Sequence, residues 1–214
     1  MAYIFQTARV ELFKQIEKFS GKVSGRVLDI GSRGPGKYRK VFSYDSYTTL
    51  DIVPGNGIDV IGSIESLPFP DCSFDSIVCT QVIGDVYDLK KAFHECYRIL
   101  SKNGYLILSE SLFDSLHDEP NDYWRFTSHS LRKLTEDSGF FVEVIESRGG
   151  FWSVRAQMLI RYLIERFDIY NKWYRRPFNI FFTIYGKWML FLDKYDKSNA
   201  RNMFTHGYIL VARK

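Results

Sequence analysis

The ten residues from Val27 to Gly36 carry the most concentrated chemical potential in the sequence: apolar Val27-Leu28 meets Asp29, and glycines follow at 31, 34 and 36. Glycine takes positive φ without steric penalty and has no side chain, so such a turn lets backbone N–H groups close on a small polar ligand. A second polar concentration runs from Ser109-Glu110-Ser111 through His117, Asp118, Asp122, Tyr123, Trp124 and Arg125 to Thr127. It combines an imidazole, carboxylates and a guanidinium with aromatic rings, the groups that move protons and hold polar substrates. His94, His117, His129 and His206 are scattered without an HxxxH pair, and Cys72, Cys79 and Cys96 lack metal-type spacing. No metal site is expected, and the odd, unpatterned cysteines point to a reducing, cytoplasmic compartment.

Both concentrations need a scaffold, and the hydrophobic pattern supplies one. Residues 2–19 place Tyr3, Ile4, Val10, Phe13, Ile16 and Phe19 at helical spacing, and Ser20-Gly21 ends that helix. Strands are expected at about 25–30, 47–52, 58–61, 74–79, 105–108, 140–145 and 207–212. Between them, helices are expected from Lys37 to Phe42, from Leu89 to Leu100, and from a Thr127 or Ser128 cap to Gly139. This alternation predicts an α/β fold: a doubly wound, Rossmann-like sheet of seven strands, mostly parallel, with the last strand antiparallel. Ligands of such sheets bind beyond the carboxyl ends of the strands, where the Gly31 turn lies.

The glycine spacing narrows the ligand. A dinucleotide fingerprint reads G-x-G-x-x-G, whereas this chain has Gly31-x-x-Gly34-x-Gly36, and Asp29 would repel a phosphate. An acid there suits a ligand bearing a cationic amine.

Val27-Leu28-Asp29-Ile30-Gly31, Asp51 after the second strand, Ser66-Leu67-Pro68-Phe69, Ser73 to Val78 and Glu95 to Leu106 occur in the order found in class I S-adenosylmethionine-dependent methyltransferases. The chain resembles that family, in its small-molecule type-11-like branch, over roughly residues 25–145. The resemblance implies that Asp29, Gly31, Ser32, Arg33, Gly34 and Gly36 cradle the methionyl part of S-adenosylmethionine. It implies that Asp51, with Ile52 beside it, binds the ribose hydroxyls, as a carboxylate does well. Ser63, Ile64 and Glu65 would lie at the adenine, and Gln81 and Val82 on the methyl-donor side. Three positions depart from the family pattern: Arg33 within the turn, Ser63 where many relatives carry Asp, and Gly84-Asp85 in place of a common Glu-His. The loop after the fifth strand would meet the acceptor, with His117 as preferred base, Asp122 as second, and Tyr123, Trp124 and Arg125 as substrate contacts.

The resulting expectation is an enzyme that methylates an oxygen or nitrogen of a small molecule or of a glycan or lipid precursor. The alternative is a catalytically degenerate scaffold of the same fold. Nucleic acid is disfavoured as a partner, because no Asn/Asp-Pro-Pro-aromatic run is present. One domain is expected over 1–214, divided into an N-terminal helix (1–22), a cofactor-binding core (23–148), a helical lid or interaction segment (149–202) and a final strand (203–214).

Charge is unevenly spread along that division. Residues 1–147 hold 16 Lys and Arg against 21 Asp and Glu, whereas 148–214 hold 13 against 4. The basic, aromatic segment 172–192 suits a substrate lid, a homodimer face or peripheral contact with a membrane surface. Its apolar run from Phe178 to Leu192 falls short of the ~20 residues a spanning helix needs.

Overall fold

The computed structural model describes residues 4–214, so Tyr3 of the expected N-terminal helix lies outside the described residues. Helix α1 (Thr7–Phe19) begins later than its pattern suggests, because Ile4 and Phe5 run extended into a hydrophobic cluster of their own. Seven strands follow: β1 (Arg26–Ile30), β2 (Ser46–Asp51), β3 (Val60–Ile61), β4 (Phe74–Thr80), β5 (Leu100–Ser111), β6 (Phe141–Arg148) and β7 (Gly207–Arg213). They form one sheet in the order β3-β2-β1-β4-β5-β7-β6, with β7 antiparallel to both neighbours. The chain reverses its direction of winding at β1, so the crevice between the carboxyl ends of β1 and β4 is the topological switch point.

Helices α2 (Leu89–Ile99) and α3 (Ser128–Asp137) cover one face of the sheet through Phe93, Cys96, Ile99 and Leu131. Thr127 caps α3 by accepting from the Ser130 N–H at 3.1 Å, and Gly139, at φ 96°, lets the chain leave it. On the other face α1 packs Leu12 and Ile16 against Val27, Val78 and Val211. Each such fully buried aliphatic side chain contributes about 2 kcal/mol.

The helix expected over Lys37–Phe42 does not form; the segment from Gly31 to Tyr44 is a series of turns. Gly36 stands at φ 85°, and six residues are too few to repay helix nucleation. Burial of Tyr38 and Phe42 beside α1 holds the segment in place.

Helices α4 (Phe151–Arg166) and α5 (Arg175–Tyr195) form an antiparallel pair between β6 and β7. Helix α5 starts just before Pro177, since proline is tolerated in a first turn. Phe182 of α5 joins Ile160 and Ile164 of α4 over Ile4 and Phe5, and Gly186 admits Phe5: a Cβ there would stand 2.3 Å from the Phe5 ring.

Candidate active site

The Gly31 turn is built by the end of β1. Gly31 N–H donates to the Leu50 carbonyl at 2.8 Å, and φ is 70°, in the left-handed region. A Cβ at Gly31 would stand 2.2 Å from Val82 Cγ2, so only glycine lets the segment after β4 close against the turn. Arg33 is also left-handed, at φ 52°, and its N–H donates to Asp51 Oδ2 at 2.9 Å. Its side chain swings outward to pair with Asp118, so the residue that breaks the glycine spacing leaves the cradle itself open. Gln81 (φ 58°) and Asp118 (φ 50°) are left-handed as well, which places three strained backbones around one cleft.

That cleft has a volume of about 840 Å³, within the range of small-molecule sites. Gly31, Ser32, Arg33, Gly34, Gly36, Gln81 and His117 line it, as the sequence leads one to expect of the turn and the base. The hydroxyl of Ser32 is buried there without a partner among the described residues.

Other expected contacts stand off this cleft. Asp29 is 1% exposed and sits behind the turn, where its carboxylate accepts from the Tyr47 hydroxyl at 2.7 Å. Burial lifts it to about 6 against the lowering effect of that hydrogen bond. Ile64 is buried in the core under α2, because the chain turns there against Leu67 and Phe93, and its side chain is not free for a ring. Glu65 accepts from the Asp88 N–H at 2.9 Å, and Ser63 Oγ from the Glu65 N–H at 3.2 Å. Val82 packs against the turn instead of lining the cleft.

The loop after β5 divides into two parts. His117 reaches the cleft, its Nδ1 lies 2.9 Å from the Ser115 carbonyl, and its Nε2 lies 3.9 Å from Asp85 Oδ1. A carbonyl can only accept, so Nδ1 carries a proton and Nε2 is the ring nitrogen that can accept one. Asp122 is instead bound by the Arg125 guanidinium and by the His117 N–H at 3.0 Å, which hold its carboxyl down at about 2. So acidic a group is a poor base at neutral pH. Arg125 is committed to Asp122, Trp124 Nε1 donates to the Val86 carbonyl at 2.9 Å, and Tyr123 stacks edge-on against Tyr87. None of these four residues lines the cleft, because the Tyr123 and Trp124 N–H groups both bind the Gly84 carbonyl and pin the segment there. Asp85, His117 and Asp118 gather their ligand atoms within 4.8 Å, and the Arg33 guanidinium supplies the cation of that group.

The remaining walls carried no local signal in the sequence. Gln6, Arg9 and Phe13 come from α1 and its approach, Gln157 and Arg161 from α4, and Arg148 from the end of β6. Only Arg148, a basic residue ending an apolar strand before Gly149-Gly150, stands out in retrospect.

The residues suit an adenosyl sulfonium. Asp51 uses one lone pair on Oδ2 for Arg33 and one on Oδ1 for the Val53 N–H at 3.1 Å, which leaves acceptor capacity for two ribose hydroxyls. Ile52 and Val53, 69% and 62% exposed, form an apolar shelf beside it. The unpartnered Ser32 hydroxyl and the open space around Gly34 complete a polar cradle.

A family model described as a methyltransferase domain matches residues 28–108, which include the turn, Asp51 and β4. The uncharacterized methyltransferase YcgJ of Bacillus subtilis (strain 168) is 32% identical over 122 residues, covering 54% of this chain and 44% of that protein. The match thus spans less than half of that relative. A structure of a putative sarcosine dimethylglycine methyltransferase from Galdieria sulphuraria is similar with a TM-score of 0.62 and 16% identity, covering 96% of this chain and 85% of that one. The phosphoethanolamine N-methyltransferase 2 of Haemonchus contortus, solved with S-adenosyl-L-methionine, gives a TM-score of 0.56 at 16% identity, covering 96% and 52% respectively. At these identities the structural likenesses establish the fold.

Proposed function

We propose that this chain is a class I S-adenosylmethionine-dependent methyltransferase that moves a methyl group to an oxygen or nitrogen of a small molecule or of a glycan or lipid precursor. The observation that carries the reading is convergence: the Gly31 turn and the His117 imidazole line one cleft, and Asp51, outside that lining, is tied to the turn by the Arg33 N–H at 2.9 Å. When bound, S-adenosylmethionine supplies an electrophilic methyl group on a sulfonium. The protein's part is alignment: the turn and Asp51 hold one reactant while the cleft walls orient the other, and such positioning supplies most of the rate in a displacement. His117, with Nδ1 tied to Ser115, presents Nε2 to take the proton of a hydroxyl or amine acceptor. Calorimetric titration with S-adenosylmethionine and with S-adenosylhomocysteine tests the reading. Both are expected to bind at one site per chain, and absence of binding by either overturns it.

The same chain carries a surface suited to an anionic lipid headgroup layer. Helix α5 turns Phe182, Gly186 and Met189 inward, while Ile180, Phe181, Ile184, Trp188, Phe191 and Tyr195 form one exposed stripe. Arg176, Lys187 and Lys194 flank the stripe without an exposed acid of that helix among them. Two copies meeting through it would oppose like charges, whereas an anionic bilayer complements the cations and receives the rings. Among the described residues no helix is long and apolar enough to cross a membrane, so the contact would lie in the interface. The protein is expected to sediment with vesicles containing phosphatidylglycerol and not with pure phosphatidylcholine. The double variant Phe181→Ser/Trp188→Ser should remain in the supernatant with S-adenosylhomocysteine binding unchanged. Equal recovery of wild type and variant from the phosphatidylglycerol vesicles would exclude this face, and a concentration-dependent dimer lost in the variant would assign it to self-association.

A further inference from the structure

We propose that Arg148, together with Arg9 and Lys37, forms a subsite in the cleft for an anionic group of the methyl acceptor, a carboxylate or a phosphate. The inference rests on the methyltransferase reading and names the class of acceptor within it.

Arg148 is 2% exposed and lines the cleft from the end of β6. Its guanidinium donates to the Ser109 hydroxyl at 2.9 Å and to the Glu110 carbonyl at 3.5 Å, both neutral acceptors. Its Nε has no partner among the described residues. A buried cation is costly unless an anion is hydrogen-bonded to it. Glu110 does not fill that role: its carboxylate Oε1 accepts from the Val82 and Ile83 N–H groups, each at 2.8 Å. Burial raises Glu110 against the lowering effect of those N–H groups and of the nearby Arg148, while Arg148, lowered by burial to about 10 against the opposing pull of Glu110, keeps its charge.

The cleft around Arg148 is basic as well. Arg9 of the first turn of α1 and Lys37 beyond the glycines are exposed on its walls, and neither forms an ion pair among the described residues. That first turn of α1 holds no acidic residue, so the positive end of the helix adds to the same field. Arg33 and Arg161 are paired with Asp118 and with Glu165, so against Arg9, Lys37 and Arg148 the lining offers only Asp114. The cofactor deepens the imbalance, since its sulfonium and ammonium outweigh its single carboxylate. An acceptor that carries its own negative charge is what this cleft can balance, and a cationic one is excluded by the same field.

The test uses nitrogen-15-labelled protein saturated with S-adenosylhomocysteine and titrated at constant ionic strength with inorganic phosphate, with acetate, or with tetramethylammonium. Phosphate or acetate is expected to move the Arg148 Nε–H resonance and the amides of Gly31 to Tyr38 saturably, and tetramethylammonium is not. The stronger of the two anions identifies the group. Arg148→Met should abolish the response. Because that buried substitution can impair folding, the surface double variant Arg9→Gln/Lys37→Gln provides the second measurement, with anion affinity expected to fall roughly tenfold. A complex that holds S-adenosylhomocysteine and shows no saturable anion response overturns the subsite alone, as does an undiminished response in Arg9→Gln/Lys37→Gln. Anion binding without S-adenosylhomocysteine binding would overturn the cofactor reading and leave the subsite standing.

Discussion

Asp51→Ala is expected to weaken binding of S-adenosylhomocysteine by more than tenfold. The carboxylate is buried and carries two N–H donors, Arg33 at 2.9 Å and Val53 at 3.1 Å, which fold the end of β2 against the turn after β1. Arg33 is held at φ 52°, a conformation that costs a non-glycine residue roughly 1–2 kcal/mol. Alanine removes the acceptor that maintains it and leaves the Arg33 N–H unpaired. One hydrogen bond to a charged group is worth about 1.5–3 kcal/mol, or about ten- to a hundredfold in affinity, before any loss of ribose contacts is added. Asp51→Asn, which keeps one oxygen but turns a donor toward the other N–H, should fall between the two. Arg33→Gly relieves the left-handed backbone and should bind S-adenosylhomocysteine at least as well as the unmodified chain. Calorimetric titration of the three variants decides the matter. Unchanged affinity in Asp51→Ala would remove Asp51 from the site.

The largest loss of stability is expected at a residue far from the turn. Asp193, near the end of α5, is buried, and its carboxylate accepts the N–H groups of Gly150 (3.0 Å), Trp152 (2.9 Å) and Ser153 (3.0 Å). Those are the unsatisfied donors at the start of α4, where Gly150 has no side-chain oxygen to cap them. A carboxylate from the partner helix replaces the missing cap and meets the positive end of the helix dipole. Asp193→Ala leaves the Trp152 and Ser153 N–H groups without a partner, at roughly 1–3 kcal/mol each if water does not enter, and leaves the Gly150 N–H with the Ser153 hydroxyl at 3.1 Å alone. A net loss of about 3 kcal/mol in chemical denaturation is expected, with Asp193→Asn intermediate. A loss below about 1 kcal/mol would mean that solvent or rearrangement satisfies the start of α4. Because α4 carries Gln157 and Arg161 into the cleft wall, the variant should also loosen that wall.

The part of the site legible in the sequence is the part made by neighbours in the chain. Val27 to Gly36 announces a buried strand and a glycine turn because burial pattern and φ tolerance are local properties, and the turn lines the cleft. His117 also reaches the cleft. The five residues from Asp122 to Phe126 show the limit of such reading. Their types suit a substrate, yet the Gly84 carbonyl, the Val86 carbonyl and Arg125 take up Asp122, Tyr123 and Trp124 in holding the loop down. Ile64 likewise has the composition of a ring contact and the burial of a core residue, because α2 lies over it. Lys37 to Phe42 has helical composition, and its aromatic residues are drawn to α1 in a turn instead.

By itself the sequence determined the alternation of strands and helices, the position of the glycine turn at a strand's carboxyl end and the basic character of the last third. All three follow from patterns within a few residues or from composition. Tertiary structure alone decided which distant side chains share the cleft. The antiparallel return of β7 and the folding of α4 and α5 over α1 bring Arg9, Lys37 and Arg148 to one lining, across more than a hundred residues of chain. Hydrophobic burial drives that assembly, and burial is indifferent to sequence distance. The electrostatic field it creates around Arg148 exists only once the chain has closed.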